Sequence, residues 1–509
     1  MKRSALLMML VPLLARGADW PQWGHDPSRN PVSEQRGLPV DCEPGKVDDT
    51  SGRLDLNGAR NTRWAARMGD HVYGNPVVAG GKVLVGTNNE SPRDPRIKGD
   101  YSLLLCLDEA TGKLDWQLSC PKLLGGNNAD WSGVGLCSSP AIDVAAGRVY
   151  VVTNRCEVLC LDLKGQSNGN DGPFQDEAQY MAGPGKPPIP VGPTDADIIW
   201  RYDMRDELGV YAFYQTASSV LLVGDKLYAT TSNSRDWSGH IPMPDAPALI
   251  CLDAKTGKLL GQEASGISSR TFVSNWSSPA YGKVGNQDQV IFGGGDGWVY
   301  GFAAQPSPGG DGTPILKELW RFDANPPGHR MKEGKPIKYG GDDGPREVLA
   351  TPVFHDGKVY AAIGKNPDDS AGPGLFSCID ASKTGDITTT GRVWQYDKCS
   401  TSSASPAIVG DLMFTADSGG FAYCFDANTG ALHWKHDMEG KVWGSPLAAD
   451  GKVYLGSDGG TLVTFALSKE KKILGNSMFD GEILSSPVAA NGTIFVATSR
   501  YVYAISEKK

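Results

Sequence analysis

A chain of 509 residues with 64 Gly and 34 Pro is long enough to bury a large core, and that Gly and Pro content favours strands joined by tight turns. A net charge of −9 and the absence of any Lys/Arg stripe argue against a non-specific nucleic-acid binder. After the N-terminal run no segment offers about 20 uninterrupted apolar residues, so no transmembrane segment is predicted in the mature chain.

Residues 1–18 place Lys2 and Arg3 before an apolar run from Ala5 to Leu14, followed by Ala15 and Gly17 at small-residue spacing. This is the pattern of a secretory signal peptide, and it predicts a periplasmic or secreted protein after cleavage. A lead-in segment, 19–60, carries Trp20-Pro21-Gln22-Trp23 and then Arg29-Asn30. An orphan strand follows at Asn61 to Met68, with Trp64 in it.

From there to residue 507 one unit of about 40 residues recurs. It opens on a small residue and Pro, continues as a β-branched run and a polar turn, and ends in a hairpin of the type Cys106-Leu107-Asp108 … Thr111-Gly112 … Trp116. The opening steps are Asn75-Pro76, Ser139-Pro140, Ser278-Pro279, Thr351-Pro352, Ser405-Pro406, Ser445-Pro446 and Ser486-Pro487, with Ser218-Ser219-Val220 as a degenerate eighth. One unit cannot bury its own hydrophobic face, so the expected architecture is all-β: an eight-bladed β-propeller of four-stranded antiparallel blades. The last unit has only three strands before the chain ends, and the orphan strand is expected to complete it, closing the sheet edges.

Large side chains close six of the fourth strands: Trp64, Trp116, Trp200, Trp320, Trp394 and Trp434. At a fixed slot such residues are expected to pack neighbouring blades together. Cys106, Cys160, Cys251, Cys378 and Cys424 share another slot, just before an apolar-Asp pair, and read as small buried side chains. Cys120 and Cys137 flank one loop and are placed to pair or to stay free, and Cys42, Cys156 and Cys399 have no assigned partner.

The small-Pro strand, the Cys-Leu-Asp-Ala-x-Thr-Gly-Lys-x-x-Trp hairpin and the eightfold repeat resemble the PQQ-like propeller superfamily over residues 61 to 507. One branch of that superfamily, the quinoprotein dehydrogenases, holds pyrroloquinoline quinone and calcium over the central axis. Another is the cofactor-free scaffold of the outer-membrane β-barrel assembly machinery. The Trp20-Pro21-Gln22-Trp23 lead-in resembles a third group, exported PQQ-like propeller proteins. The adjacent cysteine pair typical of the dehydrogenases has no counterpart here, and neither does a Cys-x-x-Cys-His haem site, so no catalytic residue is carried over.

Long insertions fall mainly on one face, in the connections between strands two and three and between blades, and loops on a rigid scaffold are where function concentrates. The segment after Asp162 is the exception and is expected on the opposite face. Strand two ends on Asn or Asp in most blades (Asn88, Asn154, Asn233, Asp296, Asn366, Asp417, Asp458), a pattern that reads either as turn chemistry or as a polar rim for a cation or hydroxylated ligand. The candidate binding face therefore comprises Asn154, Arg155, Asn233, Arg235, Asp236, Trp237, Arg270, Asn275, Trp276 and Asp296. An aromatic patch among Trp131, Trp237, Trp276 and Trp443 is the expected mark of a binding or scaffolding protein with a protein or glycan partner. The alternative is a quinoprotein oxidoreductase using pyrroloquinoline quinone and calcium in the axial funnel. The Asn168-Gly169-Asn170-Asp171-Gly172 segment lacks the regular Asp spacing and terminal Glu of a calcium loop and reads as a flexible corner.

Overall fold

The computed structural model describes residues 19–48, 53–123, 130–213, 215–310, 312–339, 344–366 and 372–507. The expected signal peptide lies outside them. Eight antiparallel meanders of four strands follow one another along the chain. Blade 1 consists of Val77–Ala79, Lys82–Asn88, Tyr101–Asp108 and Leu114–Pro121, and blade 2 of Ala141–Asp143, Arg148–Val152, Glu157–Asp162 and Ile198–Asp203. Blades 3 to 7 begin at Leu221–Val223, Ala280–Val284, Val353–His355, Ala407–Val409 and Leu447–Ala449. In blade 8 the strands Val488–Ala490, Thr493–Ala497 and Tyr501–Ile505 share a sheet with Thr62–Arg67, whose Trp64 stands opposite Ala504. The fold is the all-β, eight-bladed propeller expected from the repeat.

The repeated residues explain how blades stack. Trp116, Trp200, Trp394 and Trp434 stand directly across from Cys106, Cys160, Cys378 and Cys424, so a small buried side chain makes room for a large one. The indole N–H of Trp64, Trp116, Trp200, Trp394 and Trp434 then donates to a carbonyl at the hairpin of the following blade, on Glu109, Leu163, Ala254, Ala427 and Ser468, at 2.9–3.2 Å. Trp320 instead donates to Gln289 Oε1 at 2.7 Å, and the Gln289 amide passes the contact on to Ala381 of the next blade. The hairpin glycine belongs to the same contact. Gly112, at φ +70°, lies so close to Trp64 that a Cβ would sit 2.5 Å from the ring, so both its backbone angle and its missing side chain are needed.

Outer edges are extended from the neighbouring blade. Gln262 of blade 3 pairs in parallel with Ile315, Trp320 of blade 4 with Gly385, and Gln117 of blade 1 with Asp195. The last pairing corrects the expectation for the segment after Asp162. Rather than decorating the opposite face, it runs along the outer edge of blade 1, where Arg96 meets Asp195 at 2.8 Å and the Tyr101 hydroxyl donates to Met181. The edge strand of blade 1 offers unpaired backbone groups, which draw the segment onto it.

All ten cysteines are free, so the Cys120–Cys137 bridge does not form. Cys120 lies 3.4 Å from the Tyr180 hydroxyl, and Cys137 turns toward the axis. Burial pushes both thiols up to about 12, the behaviour of inert packing groups.

Candidate functional site

The small residue of each small-Pro step faces the axis. At six of the eight steps its backbone N–H donates to the side-chain oxygen of its counterpart in the next blade: Asn75 to Ser139, Ser139 to Ser219, Ser219 to Ser278, Ser405 to Ser445, Ser445 to Ser486, and Ser486 back to Asn75, at 2.6–2.9 Å. A short side chain bearing an oxygen fits this role, which accounts for the Ser or Asn at the accepting steps. Ser219 fills it without a following proline.

On one side of this collar the lead-in segment closes the axis. Residues 20–33 contact the innermost strand of every blade in chain order, each time two residues past the proline slot. Trp20 exchanges backbone hydrogen bonds with Val78, and Pro21, Pro27, Ser28 and Pro31 accept from Ile142, Tyr281, Phe354 and Ala448. The amides of Gln22 and Asn30 each bridge both backbone groups of one residue, Leu222 and Ile408, and the Ser33 hydroxyl reaches Ala489. Arg29, fully buried, donates to the carbonyls of Trp23, Val220 and Pro279 at 2.6–2.9 Å. Burial lowers its guanidinium to about 9, so it stays charged at neutral pH.

On the other side the axis opens as a funnel of about 230 Å³. Trp23 lines its base and donates to Thr351 Oγ1 at 3.1 Å, tying the plug to the collar. Tyr73, Trp131, Trp276 and Trp443 form an aromatic rim, with Trp131 edge-on to Trp276 and Tyr73 tilted against Trp443. Two buried polar atoms of the lining, Gln215 Oε1 and Ser405 Oγ, have no hydrogen-bond partner. Among the described residues that line it none is charged. A quinone bearing carboxylates would need cationic partners and calcium would need carboxylates, so this donor set does not fit the pair.

Of the residues singled out from sequence, Trp276 enters the funnel, its indole held by the Gln215 carbonyl at 2.7 Å. Most of the others brace the loops behind the rim. Asn154 donates to Asp130, which Lys122 pairs at 2.8 Å, and Arg155 pairs with buried Glu157 beneath the Tyr180 ring. Asn233 joins Tyr211 and Met243, Asn275 joins Asn233 and Gly295, and Arg235 holds the Thr271 carbonyl. Asp236 organises its own turn with Ser238 and His240. Asp296, fully buried, accepts from the Tyr300 hydroxyl at 2.6 Å and pairs with Arg270 at 3.2 Å; burial pushes its carboxyl up. Trp237 packs edge-on against Phe213 and stays 61% exposed, outside the funnel. Sequence reasoning missed Tyr73, Gln215 and the entire plug. Gln22 and Asn30, amides able to mimic a strand edge, were the available signal.

The family description "Outer membrane protein assembly factor BamB" matches residues 52–306 and 383–474, more than half of the chain. The chain belongs to this PQQ-like, BamB-type propeller family. It is 31% identical over 103 residues to the outer membrane protein assembly factor BamB of Burkholderia pseudomallei, covering 19% of this chain and 25% of that protein. It is 29% identical over 76 residues to the polyvinylalcohol dehydrogenase of Sphingopyxis sp. (strain 113P3), covering 15% of this chain and 12% of that protein. These matches thus span a quarter or less of the curated relatives. The crystal structure of BamB from Moraxella catarrhalis superposes with a TM-score of 0.53 at 14% identity, over 87% of this chain and 99% of that one, which supports the shared fold.

Proposed function

We propose that this protein is an exported binding or scaffolding propeller that receives a protein partner at the funnel on its insertion-bearing face. The observation that carries this reading is the uncharged aromatic rim of Tyr73, Trp131, Trp276 and Trp443 over a base with unused hydrogen-bonding capacity at Gln215 and Ser405. Aromatic anchors around a desolvated pocket are the usual energetic centre of a protein interface. The stretch shared with an assembly factor supports a protein partner over a small molecule.

Photo-crosslinking from the rim in expressing cells tests this. A protein adduct is expected, and it should vanish when Trp131 and Trp276 are both changed to Ala. An adduct that is a glycan, or one indifferent to these changes, would overturn the reading. The second reading, a quinoprotein dehydrogenase acting on alcohols or sugars, is favoured by the stretch shared with polyvinylalcohol dehydrogenase. It is tested by titration with pyrroloquinoline quinone and calcium plus a dye-reduction assay. No binding is expected at about 100 micromolar, an affinity limit of about 5 kcal/mol; quinone turnover would bring that second reading to the front.

A further inference from the structure

The insertion in blade 2, residues 163–197, folds back so that Asp171 meets two carboxylates at strand ends, Asp162 and Asp197. One oxygen from each lies within 4.8 Å of the others, the separation expected of ligands on opposite sides of one ion held at about 2.4 Å. Asp197 is fully buried; its Oδ2 accepts from the Asp171 N–H at 3.0 Å, but its Oδ1 has no partner. Buried Glu177 stands beside them with its oxygens engaged by the Ile198 N–H and the Asn170 amide. The basic partner of the group is Arg148, 2.8 Å from Asp162. A buried carboxylate oxygen with no donor, next to further carboxylates, is strongly unfavourable unless it takes up a proton or a cation joins it.

We propose that Asp162, Asp171 and Asp197 form a calcium site that clamps the 163–197 insertion into place. The donors are all oxygen, which selects a hard cation over zinc or copper, and irregular loop geometry suits calcium better than the strict octahedron of magnesium. Beyond the clamp the insertion carries Tyr180 to Glu157 at 2.8 Å and Asp195 to Arg96, joining blade 2 to the outer edge of blade 1. None of the three aspartates lines the funnel, so the proposal stands or falls independently of partner binding there.

Calcium titration of the mature chain after chelator treatment, by calorimetry and thermal melting with magnesium in parallel, tests it. One calcium per chain, a raised melting midpoint and slower proteolysis within 168–172 are expected, with magnesium much weaker. Asp171→Asn, at an exposed residue, should weaken calcium binding tenfold or more and leave the metal-free melt unchanged. Asp197→Asn should raise the metal-free midpoint, by removing a buried charge, and abolish the calcium response. No heat and no midpoint shift with folded protein at millimolar calcium would overturn the proposal. So would equal calcium affinity in the wild type and Asp171→Asn.

Discussion

The two ends of the propeller axis are built on opposite terms. At the plugged end the lead-in meets the innermost strand of each blade with a backbone or side-chain hydrogen bond, and buried Arg29 is held by three carbonyls. At the funnel end Gln215 and Ser405 keep buried oxygens without a partner, and four aromatic side chains stand around the opening. A segment bonded to every blade in turn offers little to a ligand, whereas a concave surface with unused acceptors and aromatic walls does. The contrast is why the plug is read as structure and the funnel is proposed as the binding site.

The most severe way to break the contrast is at the plug. Arg29→Met leaves the carbonyls of Trp23, Val220 and Pro279 buried and unpaired and is expected to cost about 3–5 kcal/mol in denaturant unfolding. Trp23→Ala removes the base of the funnel together with the Thr351 contact, and should cost about 3 kcal/mol in the same measurement. At the rim the effect should move from stability to binding. Trp276→Ala is expected to weaken partner binding by about 2 kcal/mol, measured on the captured partner, with a much smaller change in melting. Trp320→Phe probes the blade contacts alone, losing the hydrogen bond to Gln289 for about 1 kcal/mol of stability. Trp237→Ala sharpens the comparison from the other side: outside the funnel and exposed, it should change stability by less than about 0.5 kcal/mol and leave partner binding intact.

The fold was legible because its determinants are local and periodic. The small-Pro steps, Cys slots and Trp slots have equivalent neighbours in most blades, so repetition in sequence reports repetition in space. Even the degenerate Ser218-Ser219-Val220 step takes its place in the collar through Ser219. The site was legible only in part. Trp131, Trp276 and Trp443 converge on the funnel, whereas Trp237, with similar loop context, packs on Phe213 outside it. Position around the axis depends on loop paths that composition does not reveal. The plug was illegible because its residues are aperiodic and bond to backbone, which leaves no trace in the partner's side chains. The aspartate cluster was hidden for a related reason. Asp162 and Asp197 come from strand ends on either side of a long insertion, so no spacing rule joins them to Asp171.

The most direct test of the funnel assignment is the dissociation constant of the crosslinked partner, measured side by side for the wild type, Trp131→Ala/Trp276→Ala and Trp237→Ala. Binding lost in the funnel variant and retained in Trp237→Ala is the expected result. Binding retained in the funnel variant, with all three proteins folded, would contradict the assignment and move the site off the axis.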